Sequence, residues 1–268
     1  MTTYTATHTA PGHHRPPAQA FARLVGLQAR MAWREPLMPL ISLAVPILFL
    51  VVVGVVPAFK DTPGPAEFTG DARLSISAYL MPLFICMAVS MIALFCLPQP
   101  FVRDRENRWL RRISTTPAPP SWLLGAQTVA STALALLAVT VLTIGGVVVL
   151  GVPTPAHLGG YVLAALLLIT ALFAVGLLIT AIAPTAGVAE GVGWALYMPL
   201  LVFGGIFVSR ANMGVVLRTI SDYTPLMAAS QAMRDAVLGT FPAASTLLVL
   251  AGWTAVCGVA AVRFFRWE

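Results

Sequence analysis

The stretch LSISAYLMPLFICMAVSMIALFCL, from Leu74 to Leu97, holds no charged residue and is soon followed by RDRENRWLRRISTTPAPPSW, from Arg103 to Trp122. The first stretch is long enough to cross the hydrocarbon core of a bilayer as a helix, which satisfies its own backbone hydrogen bonds in lipid. The second holds seven of the chain's 26 Asp, Glu, Lys and Arg residues. An apolar span that ends in a charged loop is therefore the unit from which the fold is predicted.

Five more apolar runs of similar length follow the same pattern along the chain. The 268 residues are 58% hydrophobic and 10% charged, with a mean hydropathy of +0.86, whereas a soluble domain is about 25% charged. This composition excludes a soluble globular protein. We predict an all-α membrane protein with six transmembrane helices, at about 37–59, 74–97, 122–152, 158–183, 188–208 and 243–262.

The N-terminal region divides into two parts. Residues 1–17 are polar and lack the apolar core of a signal peptide, which predicts a disordered cytoplasmic tail. In residues 18–36, Arg23, Arg30 and Arg34 share one side of a helix and apolar residues share the other, which predicts an interfacial amphipathic helix. A basic flank that only sets topology accounts for the same arginines.

The distribution of Lys and Arg orients the spans, since cytoplasmic loops carry the excess. With the N-terminus inside, the inner segments hold eleven of these residues and the outer segments hold five. We therefore expect a multi-pass protein of the cell membrane with both termini cytoplasmic. The charged loop after the second span is then cytoplasmic.

The outer segment between the fifth and sixth spans is too apolar for a simple loop. Aliphatic residues recur at helical spacing on both sides of Pro225. We predict two short outer helices, near or in the outer leaflet, with a break between Tyr223 and Pro225.

The spans carry little chemistry. Glu190 is the only Asp or Glu in the six runs, which argues against an intramembrane enzyme or an ion-coupled carrier, since these need titratable groups at depth. The histidines His13 and His14 lie in the polar tail and the cysteines lie inside apolar runs, at Cys86, Cys96 and Cys257. Neither set has metal-ligand spacing or indicates disulfides.

The chain has no motif for ATP hydrolysis. A phosphate-binding P-loop needs G-x-x-x-x-G-K-[ST], and the only lysine, Lys60, lies in VVPAFKDTP. We therefore predict that the chain is not an ATPase and that any nucleotide energy comes from another polypeptide.

The charged loop reads as a short helix from about Val102 to Ser114, stopped by prolines. Trp109, Leu110 and Ile113 then form an apolar patch suited to a groove in a partner protein. A positive-inside anchor, with Trp109 at the level of the lipid headgroups, is the alternative.

The order of residues in this loop resembles the first cytoplasmic loop of ABC type-2 permeases. The shared elements are the charged run 103–106, the spaced apolar residues Leu110 and Ile113, Thr116–Pro117 and the Leu-Leu-Gly at 123–125. The resemblance implies a coupling helix that contacts a separate ATP-binding cassette ATPase through Arg103, Arg105, Glu106, Trp109, Leu110 and Ile113. It also implies that ATP and magnesium bind the partner, with no cofactor on this chain, and that two permeases pair as a homodimer or heterodimer.

A second match supports the same family. GGIF at 204–207 and PLMAASQAMRDAVLG at 225–239 resemble the family's outer segment, in which Pro225 and Arg234 match its proline and later arginine. Many relatives have a proline soon after the first of these motifs, whereas Val208, Ser209 and Arg210 stand here. The start of the outer helices is therefore left open.

The resemblance implies that the second and fifth spans line a central pathway. The candidate pathway residues are Met81, Phe84, Met87, Met91, Trp194, Met198 and Phe203. Ordinary packing against neighbours or lipid is the alternative for each of them. Flexible Met and aromatic surfaces with no buried charge favour a hydrophobic or amphipathic cargo, as in the drug and antibiotic-resistance branch of the family.

Other functions are left open by these residues. Export of lipid or polysaccharide is the nearest alternative, and an ion-coupled carrier or a membrane scaffold is more distant. The expected partners are the ATPase, a second permease and the lipid bilayer, and no nucleic acid.

Overall fold

The computed structural model describes residues 22, 24–28, 30, 37–56, 75–106, 120–208 and 210–265. Within these residues the regular elements are helical and none is a strand. In chain order they are α1 (Leu37–Val55), α2 (Ile76–Met91), a π-helix (Ile92–Cys96), α3 (Pro98–Glu106), α4 (Pro120–Leu150), α5 (Leu158–Ile182), α6 (Ala186–Phe203), a 3-10 helix (Arg210–Asn212), α7 (Val215–Asp222), α8 (Pro225–Val237) and α9 (Ala244–Phe264).

Six of these helical segments are long and apolar enough to cross a membrane, which confirms the predicted fold class. They are α1, the continuous run from α2 to α3, α4, α5, α6 and α9. The N-terminal residues 22, 24–28 and 30 are helical, and the tail 1–17 lies outside the described residues.

The helix that contains the second span continues beyond the predicted end of that span. We expected it to end at Leu97, before the two prolines, but the helix continues to Glu106. The reason is local: α3 begins at Pro98, so both prolines stand in its first turn, where backbone N–H groups lack intrahelical partners in any case. Val102, predicted to open a separate loop helix, is instead a fully buried residue of α3.

The run from α2 to α3 forms the centre of the bundle. In its most apolar window 94% of the residues are buried, against 22% for α1, α6 and α9. Helix α2 packs against α1, α4, α5 and α8. Helix α6 packs on the π-helix and on α3. Helix α9 packs mainly along α5. The second span therefore contacts elements from both halves of the chain.

Close approach to the π-helix depends on glycines. A Cβ atom at Gly176 of α5 would overlap the carbonyl oxygen of Ala93, and one at Gly193 of α6 would lie 3.2 Å from the carbonyl oxygen of Leu94. A larger residue at Gly176 would force α5 away from the second span, and one at Gly193 would require its neighbours to shift by a few tenths of an ångström.

The segment between α6 and α9 contains the two short helices predicted for it. Helix α7 ends at Asp222 and α8 begins at Pro225, and the Thr224 hydroxyl accepts a hydrogen bond from the Met227 N–H at 3.4 Å as an N-cap. The apolar residues of α8 are buried, whereas those of α7, such as Val215 and Val216, are exposed. Only α8 is thus part of the protein core.

Candidate functional site

The charged run ends in a set of hydrogen bonds to the connection between α5 and α6. Glu106, the last residue of α3, accepts a hydrogen bond at Oε2 from the backbone N–H of Ala186 at 3.0 Å. Arg105 donates from Nη1 to the Thr180 carbonyl oxygen at 3.3 Å and from Nη2 to the Ala183 carbonyl oxygen. We call this set, with Gln99, the α3 latch.

The charges of the α3 latch match the polarity of the two helix ends they touch. The last carbonyl groups of a helix carry partial negative charge and the first N–H groups carry partial positive charge. Arg105, a cation, binds the C-terminal end of α5, and Glu106, an anion, binds the N-terminal end of α6. Two adjacent residues therefore cap two consecutive helices with the charge that each end favours.

Gln99 adds a third contact to the same connection. Its Nε2 donates to the Ala186 carbonyl oxygen at 3.3 Å, so Ala186 is held through both its N–H and its carbonyl group. The N-cap of α6 is Thr185, whose hydroxyl accepts from the Val188 N–H at 3.3 Å. The start of α6 is therefore fixed from its own chain segment and from α3.

The predicted ATPase-contact residues are divided by these observations. Arg105 and Glu106 bind within the chain, and Arg103 is exposed at the end of α3. Trp109, Leu110 and Ile113 lie outside the described residues. Contact of any of these side chains with an ATPase stays a prediction.

The π-helix lies between the α3 latch and the rest of the second span. The Leu97 N–H donates to the Ile92 carbonyl oxygen at 3.0 Å, five residues back, and Gln127 of α4 donates from Nε2 to the Cys96 carbonyl oxygen at 2.9 Å. A π-helix adds a residue to the turn and frees a carbonyl group, which here finds a side-chain donor. Gln127 therefore ties α4 to this irregular turn.

The seven pathway candidates have two kinds of surroundings. Those of α2, Met81, Phe84, Met87 and Met91, are buried inside the chain. On α6, Trp194 and Met198 are exposed by 40% and 46%, and Phe203 is intermediate. The α6 residues thus lie on an open face of this chain, while the α2 residues pack against neighbours such as Phe49, whose ring lies 6.0 Å from that of Phe84.

The opposite end of the bundle contains a buried arginine. Arg234 of α8 is 7% exposed and lies over the ring of Tyr79 at 4.6 Å, with Nη2 donating to the Ser230 hydroxyl at 3.3 Å. Its Nη1 has no hydrogen-bond partner in the part of the chain that the structure describes. Burial lowers the pKa of the guanidinium, and the Tyr79 ring offers a cation–π contact.

The family comparison agrees with this architecture. A family model described as ABC-2 type transporter matches residues 19–238, from the N-terminal region to the end of α8. The chain belongs to the ABC-2 type transporter family. This family is a permease domain and is not itself an ATPase, so the chain is a multi-pass membrane subunit of an ABC transporter. No curated protein matches the chain.

Sequence reasoning missed several residues that organise this ABC-2 permease. Gln99 and Gln127 stand in or beside apolar runs, and a buried side-chain amide needs a hydrogen-bond partner. Their position in the sequence therefore indicates a structural role, but it does not show which group is the partner. The hydrogen-bond partners of Arg105 and Glu106 are backbone groups, which belong to Thr180, Ala183 and Ala186. Nearly every residue has the same backbone N–H and carbonyl groups, so a sequence does not show which of them accept or donate such a bond.

Proposed function

We propose that this chain is the permease subunit of an ATP-driven exporter that moves a hydrophobic or amphipathic compound, such as a drug or natural product, out of the cell. In this proposal a separate ATP-binding subunit docks on the segment from Arg103 to Ile113. Magnesium and ATP bind that subunit, and this chain supplies the membrane path.

The α3 latch is the observation that carries the proposal. Nothing in the described spans resembles a nucleotide site, so energy has to enter through a protein contact. Arg103, where this segment begins, lies in α3, and α3 is hydrogen-bonded to the end of α5 and the start of α6. A push on this segment is therefore passed to three helices at once.

The open face of α6 supports a second permease in the assembly. Trp194 and Met198 are exposed in a single chain, and large apolar side chains in this arrangement favour contact with another helix, with cargo or with lipid. We propose that two copies, or this chain with a homologue, enclose the cargo path along this face. Movement of α6 by the α3 latch would then change the width of that path.

The scarcity of charge in the spans supports an apolar cargo. Glu190 of α6 is intermediate in exposure and lies near one end of its helix, and the carboxylates Asp104 and Glu106 stand at the end of α3. A strongly ionic cargo would need its charge paired at depth. A lipid cargo also needs an apolar path, so lipid export stays the nearest alternative. Transport assays that compare a panel of amphipathic antibiotics with labelled lipids separate the two.

The proposal is tested by purifying the permease from its native membrane in mild detergent and measuring ATPase activity in the eluate. The variant carries Trp109→Ala and Ile113→Ala. We expect wild type to retain an ATPase and the variant to lose it, while both insert and purify equally.

A matched control carries Phe207→Ala and Ile220→Ala, which remove an aromatic and a β-branched side chain exposed at the α7–α8 end. This control should keep the ATPase. An eluate without ATPase from wild type, under conditions where another ABC complex survives, would refute the proposal and favour a scaffold or carrier.

A further inference from the structure

A polar cavity of about 330 Å³ lies between α7, α8 and the first turns of α9. It is at the end of the bundle away from the α3 latch, and neither the coupling segment nor the pathway candidates line it. Its walls include Arg210, Asp222 and Gln231, with hydroxyl groups from Thr219, Ser245 and Thr246.

One cation and one anion stand side by side in this wall. Arg210 donates from Nε to Asp222 Oδ1 at 2.6 Å and from Nη2 to Oδ2 at 2.7 Å, and Gln231 donates to Oδ1 at 3.0 Å. The two charged side chains are still 30% and 34% exposed.

Both partners keep capacity for a ligand. The pairing uses two of the three guanidinium nitrogens, so Nη1 takes no part in it. On the carboxylate, Oδ2 accepts one bond from the ion pair, and a carboxylate has about four lone-pair sites in all. The cavity therefore offers N–H donors beside a negative acceptor.

The helices around the cavity have membrane-facing surfaces. Val216 on α7 and Leu248 and Val256 on α9 are each at least 70% exposed, and α9 is one of the six membrane-crossing helices. Between them, the Trp253 ring N–H donates to the Tyr223 carbonyl oxygen at 2.8 Å. Ser245 and Thr246 of the cavity wall stand in the first turn of α9, and the first turn of a membrane-crossing helix lies near the headgroup level of a bilayer.

We propose that this cavity binds the headgroup of a phospholipid that carries both a phosphate and a primary ammonium group, as phosphatidylethanolamine does. The phosphate is placed beside Arg210, and the ammonium donates to Asp222 and to hydroxyl oxygens of the wall. Charge-assisted hydrogen bonds of this kind are the strong ones. The acyl chains lie against the exposed aliphatic residues of α7 and α9.

A headgroup with both charges fits this wall better than one with a single charge. A purely anionic headgroup meets the Asp222 carboxylate beside Arg210, and a quaternary ammonium has no N–H to donate to Asp222. The site therefore selects for the ammonium as well as for the phosphate. This inference goes beyond the proposed export function, because the bound lipid need not be cargo.

The test uses the full-length permease in nanodiscs of equimolar phosphatidylethanolamine and phosphatidylglycerol, and native mass spectrometry counts the lipids that stay bound. We expect wild type to retain the ethanolamine lipid in preference. Asp222→Asn should reverse the preference toward the glycerol lipid, because Arg210 then stands without its anion. The change should reach about tenfold, as expected for one charge-assisted hydrogen bond.

Two further variants keep the inference testable if Asp222→Asn fails to fold. Ser245→Phe narrows the cavity and leaves the ion pair in place, and it should lose the retained ethanolamine lipid. Arg218→Gln removes an exposed guanidinium from α7, the helix that also carries Asp222. Because Arg218 does not line the cavity, this change should leave retention of the ethanolamine lipid unchanged. Equal retention of both lipids by wild type would overturn the inference. So would full retention of the ethanolamine lipid by Ser245→Phe, or its loss in Arg218→Gln.

Discussion

Glu106 at the end of α3 accepts a hydrogen bond from the first backbone N–H of α6, that of Ala186, at 3.0 Å. The residue beside it, Arg105, binds the last carbonyl groups of α5. These two side chains thus face opposite poles of two helix dipoles. Their order in the sequence is fixed by that polarity, so they are not an interchangeable pair of charges.

Exchanging these two charges should be more damaging than removing them. In the double variant Arg105→Glu and Glu106→Arg, each charge lies at the helix end that repels it, which lowers the stability by about 1 kcal/mol per end. The double alanine variant loses the favourable contacts but adds no repulsion. We expect a lower melting temperature in detergent and less transport per ATP in reconstituted complexes than for the double alanine variant.

Glu190→Ala is the matched control, because Glu190 lies in the first turns of α6 and takes no part in the α3 latch. It should transport normally. Transport that depends on Glu190 and survives the charge exchange would contradict the role of the α3 latch and favour an ion-coupled carrier.

Gly176→Ala should destabilise the permease strongly. The new methyl group overlaps the Ala93 carbonyl oxygen in the π-helix, and overpacking against backbone costs about 3 kcal/mol. Gly191→Ala provides the comparison, since nothing lies within 4 Å of its added Cβ. That change should be neutral or stabilise α6 by up to about 1 kcal/mol. Thermal unfolding in one detergent measures both, and equal melting temperatures would show that α5 does not pack this closely on the π-helix.

The Arg210–Asp222 ion pair predicts a pH-dependent stability. Hydrogen bonds from Arg210 hold the pKa of the Asp222 carboxyl below its ordinary value of 3.8. A group with a lowered folded-state pKa stabilises the protein above the ordinary pKa, and this contribution is lost as the pH falls through the lowered value. Asp222→Asn should therefore have a lower melting temperature than wild type at neutral pH. That gap should close as the pH falls below about 4.

Asp235 of α8 provides a control of opposite sign. Burial raises the pKa of its carboxyl, so its ionised form costs stability as the pH rises. Asp235→Asn should therefore not lose melting temperature at neutral pH relative to pH 4. If the difference in melting temperature between Asp222→Asn and wild type does not change with pH, the ion pair is not the cause of that difference.

The buried cysteines report on opening of the second span. Cys86 and Cys96 are free and buried, so a membrane-permeant maleimide should leave them unlabelled at rest. If the α2 side chains line the cargo path, labelling of Cys86 should rise during ATP-driven turnover. Thr240→Cys, exposed in the connection between α8 and α9, should be labelled in both conditions. Cys86 that stays unlabelled during verified turnover would move the path away from α2.

Local patterns were enough for much of the architecture. The six spans follow from apolar runs, and the break between α7 and α8 follows from Pro225, which disfavours a helical conformation in the residue before it. The helix of the second span continues past Leu97 to Glu106, because a proline stops a helix in its interior but is accepted in a first turn. Only the structure shows in which of these positions Pro98 stands.

Apolar runs in the sequence alone predicted a six-span membrane protein with a charged segment after the second span. This prediction was possible because a membrane helix satisfies its own backbone and needs only apolar side chains of sufficient number. Tertiary structure alone decided that α2 is central, that Arg105 and Glu106 cap α5 and α6, and that Arg210 pairs with Asp222 beside a cavity. These contacts join residues far apart in the chain or use backbone groups, and their energy comes from packing and charge that no local pattern encodes.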